Sequence, residues 1–288
     1  MTETLIDKIK ILRSKTGISF IECKKALIDS DLNIEEAIIN LRKTGSLNAT
    51  KRNTKSALEG LITSDINENR NNAIIMEINC ETDFVGKSNE FKDFCNKISN
   101  YFLYENKNSI LNLKKDEIFL PEILENEKIN IISKFKENII INRIIKTYSN
   151  EKQIFGYVHG HDKNGKIASL IITDRCTENS NELLKDIAMQ IVAMKPKYLN
   201  IDSIPKNTIE TETNIINENI NLNYKDKTAE QIKTIVKNQI KKFYDETVLM
   251  EQYFIKDQKL KIKDLTTKNN IIIKNFIRFE VGGEHQEC

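Results

Sequence analysis

Four side chains of this sequence could do chemistry: those of Glu81, Asp83 and Phe84, in the segment 81–85 (ETDFV), and that of His159. Glu81 and Asp83 alternate along an extended chain and therefore share a face, as paired carboxylates in acid–base catalysis must. His159 could supply a base. A hydrolase built on these three groups is one hypothesis, although no further positioned group can be named for it.

The aromatic ring beside a carboxylate suggests a different chemistry, that of a partner-binding wedge. In this interpretation Phe84 enters another protein and Asp83 guides it. The alternative is a core role, in which Phe84 packs in the interior, where aromatic side chains usually lie, and Asp83 forms an Asx-turn. The residue types of this segment taken alone favour the core role, and both interpretations stay open here.

Other reactive patterns are missing from the sequence. It contains no Gly-rich phosphate loop, no metal-ligand cluster and no Ser/His/Asp motif. Its five cysteines form no CxxC pair and have no histidine at ligand spacing, so neither zinc nor a disulfide framework is indicated. We therefore expect no metal and no cofactor, and the free cysteines fit the reducing cytoplasm.

Charge and hydropathy limit the classes of partner. The 44 basic and 42 acidic side chains give a net charge of +2, whereas a general nucleic-acid binder would show a strong basic excess. The longest apolar run, residues 167–172, is too short to span a bilayer. The composition thus predicts neither direct nucleic-acid binding nor a membrane protein, and it suits a soluble protein that binds another protein.

The elements around segment 81–85 determine where its side chains are held. The preceding apolar run, residues 73–80, is short, β-branched and partly alternating, which predicts a strand. Asp83 and Phe84 should then lie in a turn. A helix should follow from about Ser88, with residues 91, 94 and 98 on one apolar face.

The chain is long enough for two or more domains. Residues 1–45 predict three short helices, the third capped by Asn33 and Glu36, and residues 46–57 predict a linker. An α+β core follows in two parts, 58–145 and 146–283, with antiparallel sheets. Sparse apolar stripes on either side of a polar turn predict a helical coiled-coil hairpin inserted at about 207–243. A tail, residues 284–288, ends the sequence.

Several collinear motifs give this sequence a specific resemblance to the bacterial elongation factor Ts family. The resemblance extends from residue 11 to residue 282 and includes one signature in the N-terminal region and a second at ETDFV. The matching segments are RSKTG (13–17), ECKKAL (22–27), LRKTG (41–45), ETDFV (81–85), ENI (137–139), GYVHG (156–160), IAMQI (187–191) and FIRFEVG (276–282).

The resemblance implies a fold and a function. The fold would be α+β: an N-terminal three-helix module like a ubiquitin-associated domain, a two-part core, and an inserted coiled coil. The function would be guanine-nucleotide exchange on elongation factor Tu during translation elongation, by binding rather than by enzymatic turnover. The Asp83–Phe84 element would insert into the GDP-bound GTPase, disturb the site of Mg²⁺ and the phosphates, and release GDP. The resemblance leaves open a homodimer or a 2:2 complex.

The resemblance also assigns partner contacts residue by residue. The exchange contacts would come from Thr82, Asp83, Phe84, Val85, Phe135 and His159, and contacts of the N-terminal module from Thr16, Gly17 and Phe20. Two other classes remain as alternatives. A scaffold would bind through residues 1–45 alone, and a hydrolase would turn over a small substrate without any GTPase.

Overall fold

A computed structural model of the chain describes residues 5–16, 20–37, 40, 59–105, 110–148, 153–177, 180–223 and 228–283. The strands are β1 (Glu59–Ile66), β2 (Asn72–Cys80), β3 (Leu111–Lys114), β4 (Ile140–Tyr148), β5 (Gln153–His161), β6 (Asn164–Arg175), β7 (Tyr253–Phe254), β8 (Asp257–Lys261) and β9 (Ile272–Glu280). The α-helices are α1 (Leu5–Thr16), α2 (Phe20–Ile28), α3 (Asp83–Lys87), α4 (Asn89–Tyr104), α5 (Glu122–Phe135), α6 (Asn181–Met194), α7 (Lys206–Asn223), α8 (Ala229–Thr247) and α9 (Ile262–Lys268).

Seven strands form a single antiparallel sheet in the order β3-β4-β2-β1-β6-β5, with β9 alongside β6. The two parts of the core share this sheet, because β1 pairs with β6 at Ile62–Gly165 and Thr63–Asn164. β7 and β8 form a separate two-stranded ribbon. Helices and antiparallel strands together give the mixed architecture expected of an α+β protein.

Strand β2 is buried along its whole length, which explains why most of its residues are apolar. Successive side chains point to opposite faces of a strand. Ile74, Met76 and Ile78 pack in a core with α4 and α5, whereas Ala73 and Ile75 pack in a second core with side chains of β5, β6 and β9. Both faces of the strand are therefore apolar, so the alternation in its sequence is weak.

Helix α4 agrees with its prediction. Ser88 caps it by accepting a hydrogen bond from the amide of Phe91, and Phe91, Phe94 and Ile98 are all buried. The preceding turn is corrected, however. Asp83 and Phe84 lie in the first turn of the five-residue helix α3, whose N-cap is Thr82.

A tight hairpin joins β5 and β6 in the second part of the core. The loop is Asp162–Lys163, and the positive φ (53°) belongs to Asp162. Gly165 allows the backbones of β5 and β6 to approach closely, since a Cβ on it would lie 2.3 Å from the carbonyl oxygen of His159.

Helices α7 and α8 occupy the predicted insertion and contact each other. Thr228 and Gln231 form a capping box at the start of α8. Ile216 and Ile220 of α7 are buried, whereas no described residue of α8 is fully buried. The connection 224–227 lies outside the described residues.

The N-terminal segment is described in part. α1 and α2 bury Ile9, Leu12, Cys23 and Leu27 together with Ala37, and residues 34–37 are helical after Asn33, whose side chain accepts hydrogen bonds from the amides of residues 35 and 36. The predicted linker 46–57 and the tail 284–288 lie outside the described residues.

A buried ion pair ties β9 to β2. Arg143 donates to Glu77 at 2.8 Å and to the carbonyl of Glu280 at 3.0 Å, and both charged side chains are almost fully buried. The other Glu77 oxygen accepts from the amides of Gly282 at 2.8 Å and of the Asn79 side chain at 2.9 Å. The last described turn is thus fixed to a strand about 200 residues earlier in the chain.

Helix α5 ends at Lys136, whose left-handed backbone conformation (φ 60°, ψ 25°) favours glycine. We expect Lys136→Gly to raise the free energy of unfolding by about 0.5–1 kcal/mol, because it removes the Cβ that this conformation penalises. Lys136→Ala is the matched control, since it shortens the side chain but keeps the Cβ. Urea unfolding of the three proteins measures the difference, and an equal gain for alanine would contradict this explanation.

Candidate functional site

The Phe84 ring is the most exposed feature near the end of β2. Phe84 is 78% exposed, although it sits between a buried strand and a helix with one buried face. The core role for Phe84 is therefore wrong, and the ring lies on the surface. The Asx-turn at Asp83 is also replaced, since Asp83 opens a helix and its carboxylate binds lysines.

Val85, the next residue, points the other way. It is 1% exposed and belongs to the core formed by β2, α4 and α5. Gly86 is also buried, and a Cβ on it would lie 3.6 Å from the Cys80 sulfur and 3.8 Å from the Gly60 carbonyl oxygen. One side of α3 is thus anchored in the core, and the anchor leaves Phe84 facing outward.

The start of α3 is held by a carboxylate from the connection between α5 and β4. Glu137 accepts hydrogen bonds from the amides of Glu81 (3.1 Å) and Thr82 (3.0 Å) and from the Thr82 hydroxyl (2.5 Å). In return Glu81 accepts from the amide of Asn138 at 2.9 Å. We call this set, Glu81, Thr82, Glu137 and Asn138, the Glu81–Glu137 clamp.

Asp83 is surrounded by lysines. Its carboxylate lies 2.5 Å from Lys87, one turn later in α3, and 3.4 Å from Lys166 of β6, which also pairs with Glu59 at 2.5 Å. The hydrogen bond from Lys87 is the main cause that lowers the pKa of Asp83 below its usual value, and the charge of Lys166 adds to it. Asp83 is therefore an anion at neutral pH, with Phe84 beside it.

Phe135 lies near this site, at the last residue of α5. Its ring is half-buried against the core below α3, and the Lys134 ammonium lies 5.6 Å from the ring centroid. Lys134 also pairs with Glu90 of α4 at 2.6 Å. Phe135 is thus partly exposed at the surface.

His159 lies on β5, the edge strand of the sheet, and is exposed. The Tyr157 hydroxyl lies 3.2 Å from His159 Nδ1. His159 faces Ile167 across the ladder, next to Lys166, which reaches Asp83. Strand pairing and Lys166 therefore connect the His159 strand to α3.

The arrangement does not favour the hydrolase hypothesis. Glu81 binds the Asn138 amide, Asp83 binds lysines and His159 binds a tyrosine hydroxyl, so each group is engaged by a different partner. Within the part of the chain that the structure describes, no group of three or more His, Cys, Asp or Glu side chains could hold a metal ion. No helix among the described residues is long and apolar enough to cross a bilayer.

The predicted contacts of the N-terminal module are described less fully. Thr16 ends α1 and Phe20 begins α2. Gly17, between these helices, lies outside the described residues, and so do the side-chain environments of Thr16 and Phe20. Their contact with a partner stays a prediction.

The sequence draws attention to Phe84 but does not show that its ring is exposed, nor which groups hold the segment around it. Glu137 appears there only within the ENI motif and Lys166 has no local signal, although each contacts the segment 81–85 directly. They come from elements 55 and 83 residues later in the chain, so no local pattern links them to Phe84. The ENI motif was the one available signal.

Cys80 lies under the site, and burial raises its pKa to about 12, with the charge of Glu137 contributing. Burial also raises the pKa of Cys95 well above the usual range. At pH 8 the thiolate fraction of Cys80 is then about a thousandfold below that of an ordinary cysteine.

We expect iodoacetamide to modify half-buried Cys176 far faster than buried Cys80 and Cys95. Peptide mass spectrometry measures the rate of modification at each cysteine.

The denatured chain is the control for this labelling, because all cysteines should then react at similar rates. Fast labelling of Cys80 in the folded protein would show that the end of β2 opens readily, contrary to the anchored site described above.

Comparisons with known proteins agree with the motifs. The family model described as "Elongation factor TS" matches residues 81–283, which include the segment 81–85, Phe135, Glu137 and His159. The chain is 34% identical to elongation factor Ts of Aquifex aeolicus over 96% of this chain and 98% of the relative. It is 36% identical to elongation factor Ts of Baumannia cicadellinicola over 98% and 94%, and 35% identical to that of Hydrogenobaculum over 96% and 98%.

Proposed function

The chain belongs to the elongation factor Ts family, and from this membership we propose that it is a guanine-nucleotide exchange factor for elongation factor Tu in translation elongation. It works in the cytoplasm, by binding the GDP-bound GTPase, and performs no covalent chemistry. The observation that carries the proposal is the Phe84 ring, exposed on a helix that is anchored on its other side.

The proposed mechanism uses Phe84 as a wedge. Its ring enters the GTPase while the anionic Asp83 beside it takes a polar contact, and the insertion disturbs the residues that hold Mg²⁺ and the nucleotide phosphates. Loss of the ion removes a large positive charge opposite the phosphates, so GDP leaves faster. The factor and the nucleotide weaken each other's binding reciprocally.

The free energy available from the ring is of the required size. A thousandfold weakening of GDP binding needs about 4 kcal/mol of coupling. Burying an aromatic side chain of about 150–250 Å² at about 25 cal/mol per Å² yields roughly 4–6 kcal/mol. Because most of the Phe84 ring is exposed in the free protein, most of this area is still available for binding.

The remaining partner contacts are assigned from the family resemblance. Thr82, Phe135 and His159 would surround the inserted ring, with Val85 supporting it from the core. Thr16, Gly17 and Phe20 of the N-terminal helices would add docking area. The free chain would be a monomer or a homodimer, and its complex with elongation factor Tu could be a 2:2 assembly. Sedimentation of the free chain and of the complex would distinguish these states.

The test is stopped-flow release of fluorescently labelled GDP from the cognate elongation factor Tu, with an excess of unlabelled nucleotide. The full chain should accelerate release by orders of magnitude and in a saturable way. An unrelated GTPase of the same fold class is the control and should show no acceleration. Unchanged release from elongation factor Tu across the whole concentration range would refute the proposed function.

Removal of Mg²⁺ should imitate part of the effect of the factor. If the wedge loosens the ion site, a GTPase already stripped of Mg²⁺ has lost part of the barrier, and the two perturbations should be less than additive. The measurement is the GDP release rate with and without this protein, each in millimolar Mg²⁺ and in excess chelator. An equal fold-stimulation in both solutions would place the action of Phe84 at the phosphate loop or base pocket.

A further inference from the structure

We propose that Glu137 is a positioning residue for nucleotide exchange, which aims Phe84 through the Glu81–Glu137 clamp without being the group that enters the partner. The inference rests on the proposed exchange function and assigns that site a residue beyond the Asp83–Phe84 element. It concerns the backbone of residues 81 and 82, which Glu137 holds, and therefore the direction in which α3 leaves the sheet.

The backbone at this point has lost the support of the sheet. The β1–β2 ladder ends at the pair Glu59–Cys80, and the β2–β4 ladder ends at Asn79–Ile140. The amides of Glu81 and Thr82 follow directly, and both donate to Glu137. The carboxylate thus continues the hydrogen bonding of the strand for the two residues that precede α3.

Helix α3 cannot fix its own direction. It has five residues, and so short a helix has little stability of its own, because helix formation is cooperative and its nucleus is costly. Its direction therefore depends on its anchors. Val85 anchors its inner side, and Thr82, whose hydroxyl donates to Glu137 and accepts from the Val85 amide at 3.5 Å, anchors its start.

The clamp is reciprocal, which makes it stiffer than a single hydrogen bond. Glu81 returns a hydrogen bond to the Asn138 amide, so each carboxylate holds the backbone beside the other. Hydrogen bonds that involve an ionised carboxylate are about twice as strong as neutral ones.

The experiment is a double-mutant cycle on the full chain. The affinity for nucleotide-free elongation factor Tu is measured by isothermal titration for wild type, Glu137→Ala, Phe84→Ala and the double variant. We expect Glu137→Ala to weaken binding about tenfold, because the start of α3 is then no longer held by the three hydrogen bonds to Glu137 and must be ordered on binding. In the Phe84→Ala background the same change should weaken binding less than twofold, because the ring that Glu137 aims is gone.

Glu90→Ala is the matched control. Glu90 also links two elements of the same region, α4 and α5, through its ion pair with Lys134, but it makes no hydrogen bond to residues 81 or 82. It should leave the affinity within about twofold of wild type. Glu137→Gln keeps one accepting oxygen and should fall between wild type and Glu137→Ala.

Hydrogen exchange of the free protein tests the clamp without any GTPase. The amides of Glu81 and Thr82 should exchange faster in Glu137→Ala, whereas buried amides of β2 such as that of Ile75 should not. If Glu137→Ala does not fold, Thr82→Val replaces it. This variant removes the hydroxyl that donates to Glu137 and accepts from the Val85 amide, and it leaves the Glu137 carboxylate in place.

Three results would overturn the inference: wild-type affinity in both Glu137→Ala and Thr82→Val, an equal tenfold loss in the Phe84→Ala background, or unchanged exchange of the two amides. The second result would mean that Glu137 touches the partner directly. A wild-type chain that neither binds elongation factor Tu nor releases its GDP would instead refute the proposed function, and the exchange of the two amides would still report on the clamp.

Discussion

Replacing Phe84 with alanine should lower the maximal rate of stimulated GDP release about thirtyfold or more and leave the melting temperature within about 2 °C of wild type. The rate falls because a buried interface aromatic typically contributes at least about 2 kcal/mol, and each 1.4 kcal/mol is a factor of ten. The melting temperature stays because Phe84 is 78% exposed, so removal of its side chain leaves no cavity.

The nearby Phe91 is the matched control for this variant. It is the same residue type, seven positions later in the chain, but its ring is fully buried in α4. Phe91→Ala should cost about 3–5 kcal/mol of unfolding free energy. Exchange activity of Phe91→Ala, measured well below its melting temperature, should fall much less than that of Phe84→Ala. Wild-type exchange by Phe84→Ala would show that the ring is not the wedge.

Breaking the buried Glu77–Arg143 pair should strongly destabilise the fold. Glu77→Ala or Arg143→Ala leaves a charge buried without its partner, which typically costs about 3–5 kcal/mol. The loss extends beyond the pair, because Glu77 also holds the amide of Gly282 and Arg143 the carbonyl of Glu280. Urea unfolding followed by circular dichroism measures the change.

The Lys97–Glu127 pair supplies the comparison for this prediction. It joins α4 and α5 on the surface, with the lysine side chain 56% exposed, so Lys97→Ala should cost less than about 1 kcal/mol. A destabilisation of similar size in Arg143→Ala and Lys97→Ala would mean that water reaches the Glu77 carboxylate. The double variant Glu77→Ala/Arg143→Ala should recover part of the loss, since it buries no unpaired charge.

Local patterns predicted the elements of this fold well, because they depend on neighbouring residues. The apolar run before residue 81 became β2, and Ser88 became the cap of a helix that buries Phe91, Phe94 and Ile98. The joining of both core parts in one sheet was not predicted, since the pairing of Ile62 with Gly165 leaves no mark in either local sequence.

The site was also predicted only as far as local sequence allows. The ETDFV segment directed attention to Phe84, but a sequence of five residues cannot tell an inward ring from an outward one. Burial of Val85 and the capping role of Thr82 decide that question in the structure. Glu137 and Lys166 escaped prediction because they reach the segment through space, from separate strands and connections.

The bond between Gly282 and Glu77 also has a consequence for the newly made chain. The two residues are 205 positions apart, so at about 5–20 residues per second the ribosome needs roughly 10–40 s to reach the second after the first. During that interval the Glu77 oxygen that later accepts from Gly282 lacks this donor, so the contact between β2 and the last described turn cannot form. Segment 81–85 follows β2 and is therefore synthesised early, whereas the turn that fixes β2 is added late. Under the proposed function, a nascent chain should engage elongation factor Tu only after β9 has emerged.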